Sequence, residues 1–243
     1  MASRQDRRID SDVGLSGKDA IRFRHEALAV VFRVGEMHLE VMLWKRAIGP
    51  FAGHWALPGG DLSDSERLGS SLARHLATKV DLTDVGFLEQ LETRSDVNRD
   101  PRERFIATAY LALIATDANR SLPSDTKWIR VDALTDLAFD HGSIIYSARE
   151  RLRAKLTYTN VAFGLAPLTF TIADLKGIYA AALGYDISST NLQRVLLRRK
   201  IIEPTSNTAS ALPSGGRPAR LYRFRDRSLR VTNPFAAFRP PPE

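Results

Sequence analysis

The chain has 243 residues, 44% of them hydrophobic, with no cysteine and a formal net charge of +7. That size supports one sizeable core and a second, smaller one, so two domains are expected. No apolar run reaches the ~18 residues of a membrane span, no leader precedes the first domain, and the missing cysteines exclude disulfides, which together point to a cytoplasmic protein.

Residues 1–22 are polar and charged without an apolar period, and they read as a flexible arm. AVVFRV at 29–34 and LEVMLWKR at 39–46 follow, parted by Gly35 and Glu36, and predict a hairpin of largely buried strands. The segment AIGPFAGHWALPGG then reads as a loop.

The next stretch, Gly60 to Leu82, places Gly60, Glu66, Arg74, Leu76 and Leu82 at fixed intervals behind Leu57-Pro58-Gly59-Gly60. This spacing resembles the Nudix box, G-x5-E-x7-R-E-U-x-E-E-x-G-U, with U an aliphatic residue. The three helix carboxylates of that pattern are replaced by His75, Thr78 and Lys79, and its late glycine by Asp81. Positions i, i+3 and i+4 share one helix face, so three acids there would converge on a divalent cation. Magnesium asks for oxygen ligands. Imidazole suits it poorly, a hydroxyl is neutral, and an ammonium brings positive charge to the cation's own place. No metal site, cofactor or catalytic residue is therefore expected, only a pocket able to hold a nucleotide pyrophosphate.

A helix capped by Asp64 or Ser65 is predicted to run to about Val80, with Leu68, Leu72 and Leu76 inward. Strands are expected at 85–91, 105–115 and 128–131, and an amphipathic helix at 141–156 with Ile145, Ala148 and Leu152 on one side. The order fits an N-terminal Nudix-like α/β/α sandwich with a mixed sheet, residues 23–156.

Candidate ligand contacts are Gly59 and Gly60 for close backbone approach, Trp55 for stacking, and Arg74, Lys79, Arg94 and Arg102 for phosphates. Arg99 and Arg104 complete a basic cluster in which Asp96, Asp100 and Glu103 interleave, so ion pairing should occupy at least half of these arginines. Trp55 reads equally as core and Lys79 equally as an exposed helix-end lysine. His75 and His141 have no metal-site spacing and read as structural.

From about Thr157 the pattern changes. A helical stretch at 170–183 carries Ile172, Leu175, Ile178, Tyr179 and Ala182 inward and ends at Gly184. Ser188 and Ser189 supply a cap for a second helix, 190–200, with Leu192, Val195 and Leu196 inward. ASALPSGGRPARLYRFR then reads as two strands around a Gly-Gly turn, or one strand after an arginine-bearing tip. Helix, turn, helix, hairpin is a winged helix-turn-helix pattern, here residues 157–232, with a tail at 233–243.

Charge supports that reading. From Leu156 onward there are 12 Lys or Arg against 5 Asp or Glu, while the preceding 155 residues hold 23 of each. All the excess positive charge lies in the last third, the footprint of a nucleic-acid-binding module joined to a neutral one. The second helix would enter the major groove, with Thr190, Asn191, Arg194 and Arg198 as base and phosphate contacts. Arg217 and Arg220 on the wing would meet phosphates or the minor groove.

WALPGG at 55–60, RDPRERFIATAYLAL at 99–113, LAFDH at 137–141, RLRAKLTYTNVAF at 151–163 and GGRPARLYRF at 215–224, in that order, resemble the NrtR family of Nudix-related transcriptional repressors. The resemblance implies a homodimer that binds double-stranded operator DNA, controls genes of NAD synthesis or salvage, and senses ADP-ribose or a related nucleotide. Two departures from the family pattern stand out: Glu103 where relatives often carry glycine, and the absence of even a partial acid set on the Nudix helix. The competing readings are a Nudix hydrolase cleaving ADP-ribose to AMP and ribose 5-phosphate, and a winged helix used for protein contact.

Overall fold

A computed structural model of the chain describes residues 23–117, 121–209 and 218–233. The arm at 1–22, Arg217 and nearly all of the tail lie outside these residues.

Strands β1 (Arg24–Gly35) and β2 (His38–Lys45) form the expected hairpin. Its turn is Glu36-Met37, one residue beyond the predicted break, with φ of 46° and 65°. Two left-handed residues give the turn hand that matches strand twist. Alternation along β1 sends Leu28, Val30, Phe32 and Val34 to one face and Ala27, Ala29 and Val31 to the other. Both faces are buried, which is why β1 reads as a continuous apolar run.

Five further strands complete the sheet: β3 (Trp55–Ala56), β4 (Gly59–Asp61), β5 (Phe87–Arg94), β6 (Phe105–Leu113) and β7 (Thr126–Arg130). The order is β3-β2-β1-β6-β5, with β4 added to β1 and β7 to β2. β1 and β6 are parallel and the other described pairs antiparallel, so the sheet is mixed. Helix α1 (Leu68–Val80) covers one face with Leu72, Leu76 and Val80. Helix α2 (His141–Tyr158) covers the other with Ile144, Ile145, Ala148 and Leu152. The expected α/β/α sandwich is the observed one.

Local details differ from expectation. β3 and β4 arise inside the supposed 47–60 loop, since two and three residues are too short to display a period. α1 starts at Leu68 with Arg67 as N-cap, not at Asp64 or Ser65, and has no side-chain cap. Glu66 explains the delay: its amide turns onto the Ser63 carbonyl at 3.1 Å, and its carboxylate reaches forward to Arg74.

The second unit holds α3 (Ile172–Leu183), α4 (Ser189–Arg198), β8 (Ile202–Thr208) and β9 (Arg220–Phe224). Thr171 and Asp174 form a capping box at the start of α3, and Gly184 closes it with φ 81°. Phe170 stays outside the helix because its backbone exchanges hydrogen bonds with Tyr222 at 3.0 and 2.8 Å. β8 lies upstream of the predicted first strand. Its IEPTSNT sequence is polar and contains Pro204, which hides a strand in sequence; the edge position makes the proline tolerable.

One hydrophobic cluster runs through both units. It joins Phe32, Val34, Leu113 and Leu152 to Phe163, Phe170, Leu175, Leu196 and Phe224. Asn160 fastens the junction: its side chain donates to the carbonyls of Asp226 and Ser228 and accepts from the Arg230 amide at 2.7 Å. Arg199, just past α4, donates to the Thr157 carbonyl at 2.8 Å. The β1–β2 turn also reaches α3. A Cβ built on Gly177 would lie 2.8 Å from the Met37 methyl.

Candidate functional site

The three positions that replace the box carboxylates are all engaged. His75 is buried and donates Nε2–H to the Asp61 carbonyl at 3.0 Å; burial lowers its pKa and keeps the ring neutral. Thr78 folds its hydroxyl back onto the Arg74 carbonyl at 2.8 Å, a common helix habit of threonine. Lys79 donates to the Gly59 carbonyl at 2.6 Å, with its ammonium 4.4 Å from the Trp44 ring centroid. An ammonium thus sits where helix α1 and the 59–60 backbone meet, and the donor set does not fit a divalent cation.

The neighbouring box residues keep their structural parts. Glu66 binds Arg74 at 2.6 and 2.9 Å, and those bonds hold the carboxyl well below the usual range. Gly59 is packed on β1 so closely that a Cβ would strike the Ala27 carbonyl, and at Gly60 one would meet the His75 ring at 2.7 Å. Asp81 ends α1 with φ 51°. The left-handed residue explains why the motif carries glycine there, and aspartate is among the few side chains that tolerate the conformation.

Around Lys79 gathers a cluster from distant segments. Arg46 stacks on Phe139, with its guanidinium carbon 4.7 Å from the ring centroid, and donates to the Pro50 carbonyl. Arg102 stacks on Phe105 at 4.9 Å and pairs with Asp100 at 2.6 Å. Burial lowers the Lys79 pKa, and Arg46 adds to the effect; Arg46 is lowered in turn by burial and by Arg102. Glu26 and Asp61 supply opposite charge nearby. The result is a ring-lined face on which Lys79, Arg46 and Arg102 alternate with Glu26, Asp61 and Asp100.

Behind it stands Arg99, whose side chain is 1% exposed. It binds Glu26 at 2.7 Å and Asp140 through two nitrogens at 2.9 and 3.3 Å. Burial of Glu26 raises its pKa, and Arg99 opposes that shift. This triad ties β1, the 95–104 loop and the start of α2 together, and so fixes the loop that carries Arg102.

Of the residues named from sequence, Gly59, Gly60, Lys79 and Arg102 come together here, with Arg74 beside them on α1. Trp55 lies on the opposite, α2-facing side of the sheet, flanked by Lys45 and Lys127 at 6.0 and 5.7 Å. Arg94 also faces α2, bound to Glu92 and to Ser147. Arg46, Trp44, Phe105 and Phe139 were not foreseen. Phe105 and Phe139 stand within the RDPRERF and LAFDH segments, so the signal for them was present.

On the winged helix, Thr190, Asn191, Arg194 and Arg198 are all exposed, while Leu192 and Leu196 are buried. Ser188 caps α4 by accepting from the Asn191 amide at 3.3 Å. Arg194 donates to the Asn191 side chain at 2.7 Å, which holds both on the outward face. Arg220 is exposed at the start of β9; Arg223 and Arg225 share Glu203.

Comparison with known proteins agrees with this division. Residues 23–148 match the NUDIX domain family, and residues 162–224 match the NrtR DNA-binding winged helix domain. An ADPR responsive transcriptional repressor, NtrR, of Acinetobacter baylyi is 32% identical over 201 residues, 80% of this chain and 79% of that protein. Shewanella oneidensis NrtR in complex with a 27mer DNA superposes with TM-score 0.71 at 30% identity, covering 82% of this chain and 93% of that one. The NUDIX domain of the same protein bound to ADP ribose is 33% identical, with TM-score 0.51 over 57% of this chain and 94% of that domain. A Nudix domain and a winged helix that share one core, in this order and with these relatives, place the chain in the NrtR family.

Proposed function

We propose that the chain is a transcriptional repressor that binds double-stranded operator DNA through α4 and the β8–β9 wing, and releases or rearranges it when ADP-ribose or a related NAD-derived nucleotide fills the Nudix pocket. The observation that carries the reading is the Lys79 ammonium on the Gly59 carbonyl: the pocket has a fixed cation where the family motif provides carboxylates for metal. A sensor needs its diphosphate ligand held without being cleaved, and a lysine binds phosphate without polarising water for attack.

The relatives support both halves, one being ADPR responsive and another having been crystallised with DNA. Genes of NAD synthesis or salvage are the proposed targets, a homodimer the proposed DNA-binding form, and the cytoplasm its place of action. Residues 23–156 form the proposed sensing domain and 157–232 the proposed DNA-binding domain. Thr190, Asn191, Arg194, Arg198, Arg217 and Arg220 are the proposed DNA contacts; Gly59, Gly60, Arg74, Lys79 and Arg102 the proposed ligand contacts, with Arg46 added. Trp55 and Arg94, named with them from the sequence, face α2 from opposite edges of the sheet and are left out of the proposed contacts.

A gel-shift titration of promoter DNA with ADP-ribose tests the proposal. DNA binding that is unchanged across millimolar ligand overturns the sensing half. Incubation with ADP-ribose and magnesium or manganese tests the hydrolase reading: turnover above background would overturn the non-enzymatic assignment.

A further inference from the structure

A second cleft, separate from the Nudix pocket, opens where the two units meet. Its volume is about 420 Å³, within the range of small-ligand sites. Its walls come from the β1–β2 turn at Met37 and His38, from α2 through Arg149 and Arg153, and from Ala180 and Ala181 of α3 and the turn after it at 184–186.

Two arginines and two acids line the cleft, and the arginines are the less fully paired. Arg149 and Arg153 share a single carboxylate, Glu150, at 3.3 and 2.9 Å. The two acids on the rim are matched elsewhere, Asp132 with Arg130 at 2.7 Å and Asp186 with Lys176 at 2.9 Å. Moreover, the Nε of Arg153 is shut off from solvent and has no hydrogen-bond partner among the described residues. Closed to solvent, Nε is not itself a contact for an occupant; the side chain is 32% exposed through its other atoms. The Tyr185 ring is 61% exposed at the cleft and offers a flat apolar face beside the arginines.

We propose that this cleft binds a small organic anion, a phosphate monoester carrying an aromatic or heterocyclic group, as a second effector. Its phosphate would bridge Arg149 and Arg153, and its ring would lie against Tyr185. An occupant touches both units at once. It also presses on the Tyr185-Asp186 turn, three residues before α4 begins at Ser189, so its binding is transmitted to the DNA-reading helix.

Phenyl phosphate, with inorganic phosphate as the ringless control, tests the site in the full chain. Methyl NMR signals of Ala180 and Ala181 should move saturably with phenyl phosphate and less with inorganic phosphate. Arg149→Gln and Arg153→Gln should each weaken binding about tenfold, the loss expected for one charge-assisted phosphate contact. Lys79→Ala, which alters the Nudix pocket, should leave those shifts in place, so the two pockets fail or succeed separately. Shifts that are absent, that do not saturate, or that persist in both arginine variants with unchanged thermal melting overturn the proposal; shifts lost only in Lys79→Ala assign the anion to the Nudix pocket and overturn it as well.

Discussion

The ammonium of Lys79 lies 2.6 Å from the Gly59 carbonyl oxygen and over the face of Trp44. The last of the three α1 positions that the Nudix box fills with carboxylates holds a cation here. Lys79→Ala should therefore weaken ADP-ribose binding about tenfold or more, while chelation of divalent metal should leave wild-type affinity unchanged. Calorimetric titration with and without EDTA checks both. A wild-type affinity that collapses on chelation refutes the substitution of metal by lysine.

The same lysine sets a pH dependence. Burial lowers its pKa, so the positive charge is lost at a lower pH than for an exposed lysine. ADP-ribose affinity should be full well below that pKa and decline as pH rises through it. Lys79→Arg should abolish the decline, since arginine keeps its charge throughout. Affinity measured at a series of alkaline pH values distinguishes the two profiles.

His141 gives a stability dependence of the opposite sense. Its Nδ1 accepts the Leu57 amide at 3.0 Å, and burial holds its pKa down to about 3 against an ordinary 6.5. Between those values the unfolded chain binds the proton and the folded chain does not. Stability is thus complete above about pH 6.5 and falls as pH drops toward 3, by roughly 1.4 kcal/mol per pH unit at most. His141→Asn, which keeps an acceptor for Leu57, should flatten this part of the melting-versus-pH curve.

Arg99 is nearly inaccessible and neutralises two carboxylates on separate segments. Arg99→Ala leaves Glu26 and Asp140 facing each other without a counter-charge. The expected loss is about 3–5 kcal/mol, read from denaturant unfolding. Arg102→Ala, on a half-exposed side chain in the same loop, should cost under about 1 kcal/mol of stability while still weakening ligand binding.

Arg194 and Asn191 present a joint outward face on α4. Arg194→Ala should weaken binding to promoter DNA by about tenfold and lower its salt dependence by about one counterion. Unchanged affinity would remove α4 from the interface, and a binding curve insensitive to salt would favour a protein partner.

The sheet and helices were legible because their signals are local. β1 declares itself by an apolar run, and α3 by its apolar face and a closing glycine. The site was legible only in part. Arg46, Lys79, Arg102 and Phe139 come from four separate segments, and no spacing rule connects residues that meet only after the sheet has formed. β8 escaped notice for a different reason: its polar residues and Pro204 contradict strand propensity, and pairing with β9 overrides it.

The hydrophobic cluster that links Phe32 and Leu152 to Phe163, Leu175 and Leu196 has a dynamic corollary. Because one buried cluster contains residues of both, the two units should open together rather than independently. Ligand bound near Lys79 would then slow amide hydrogen exchange not only in the Nudix sheet but also in α3 and α4. Occupancy of the pocket becomes a property of the entire fold, written into the exchange rates of a helix that never touches the nucleotide.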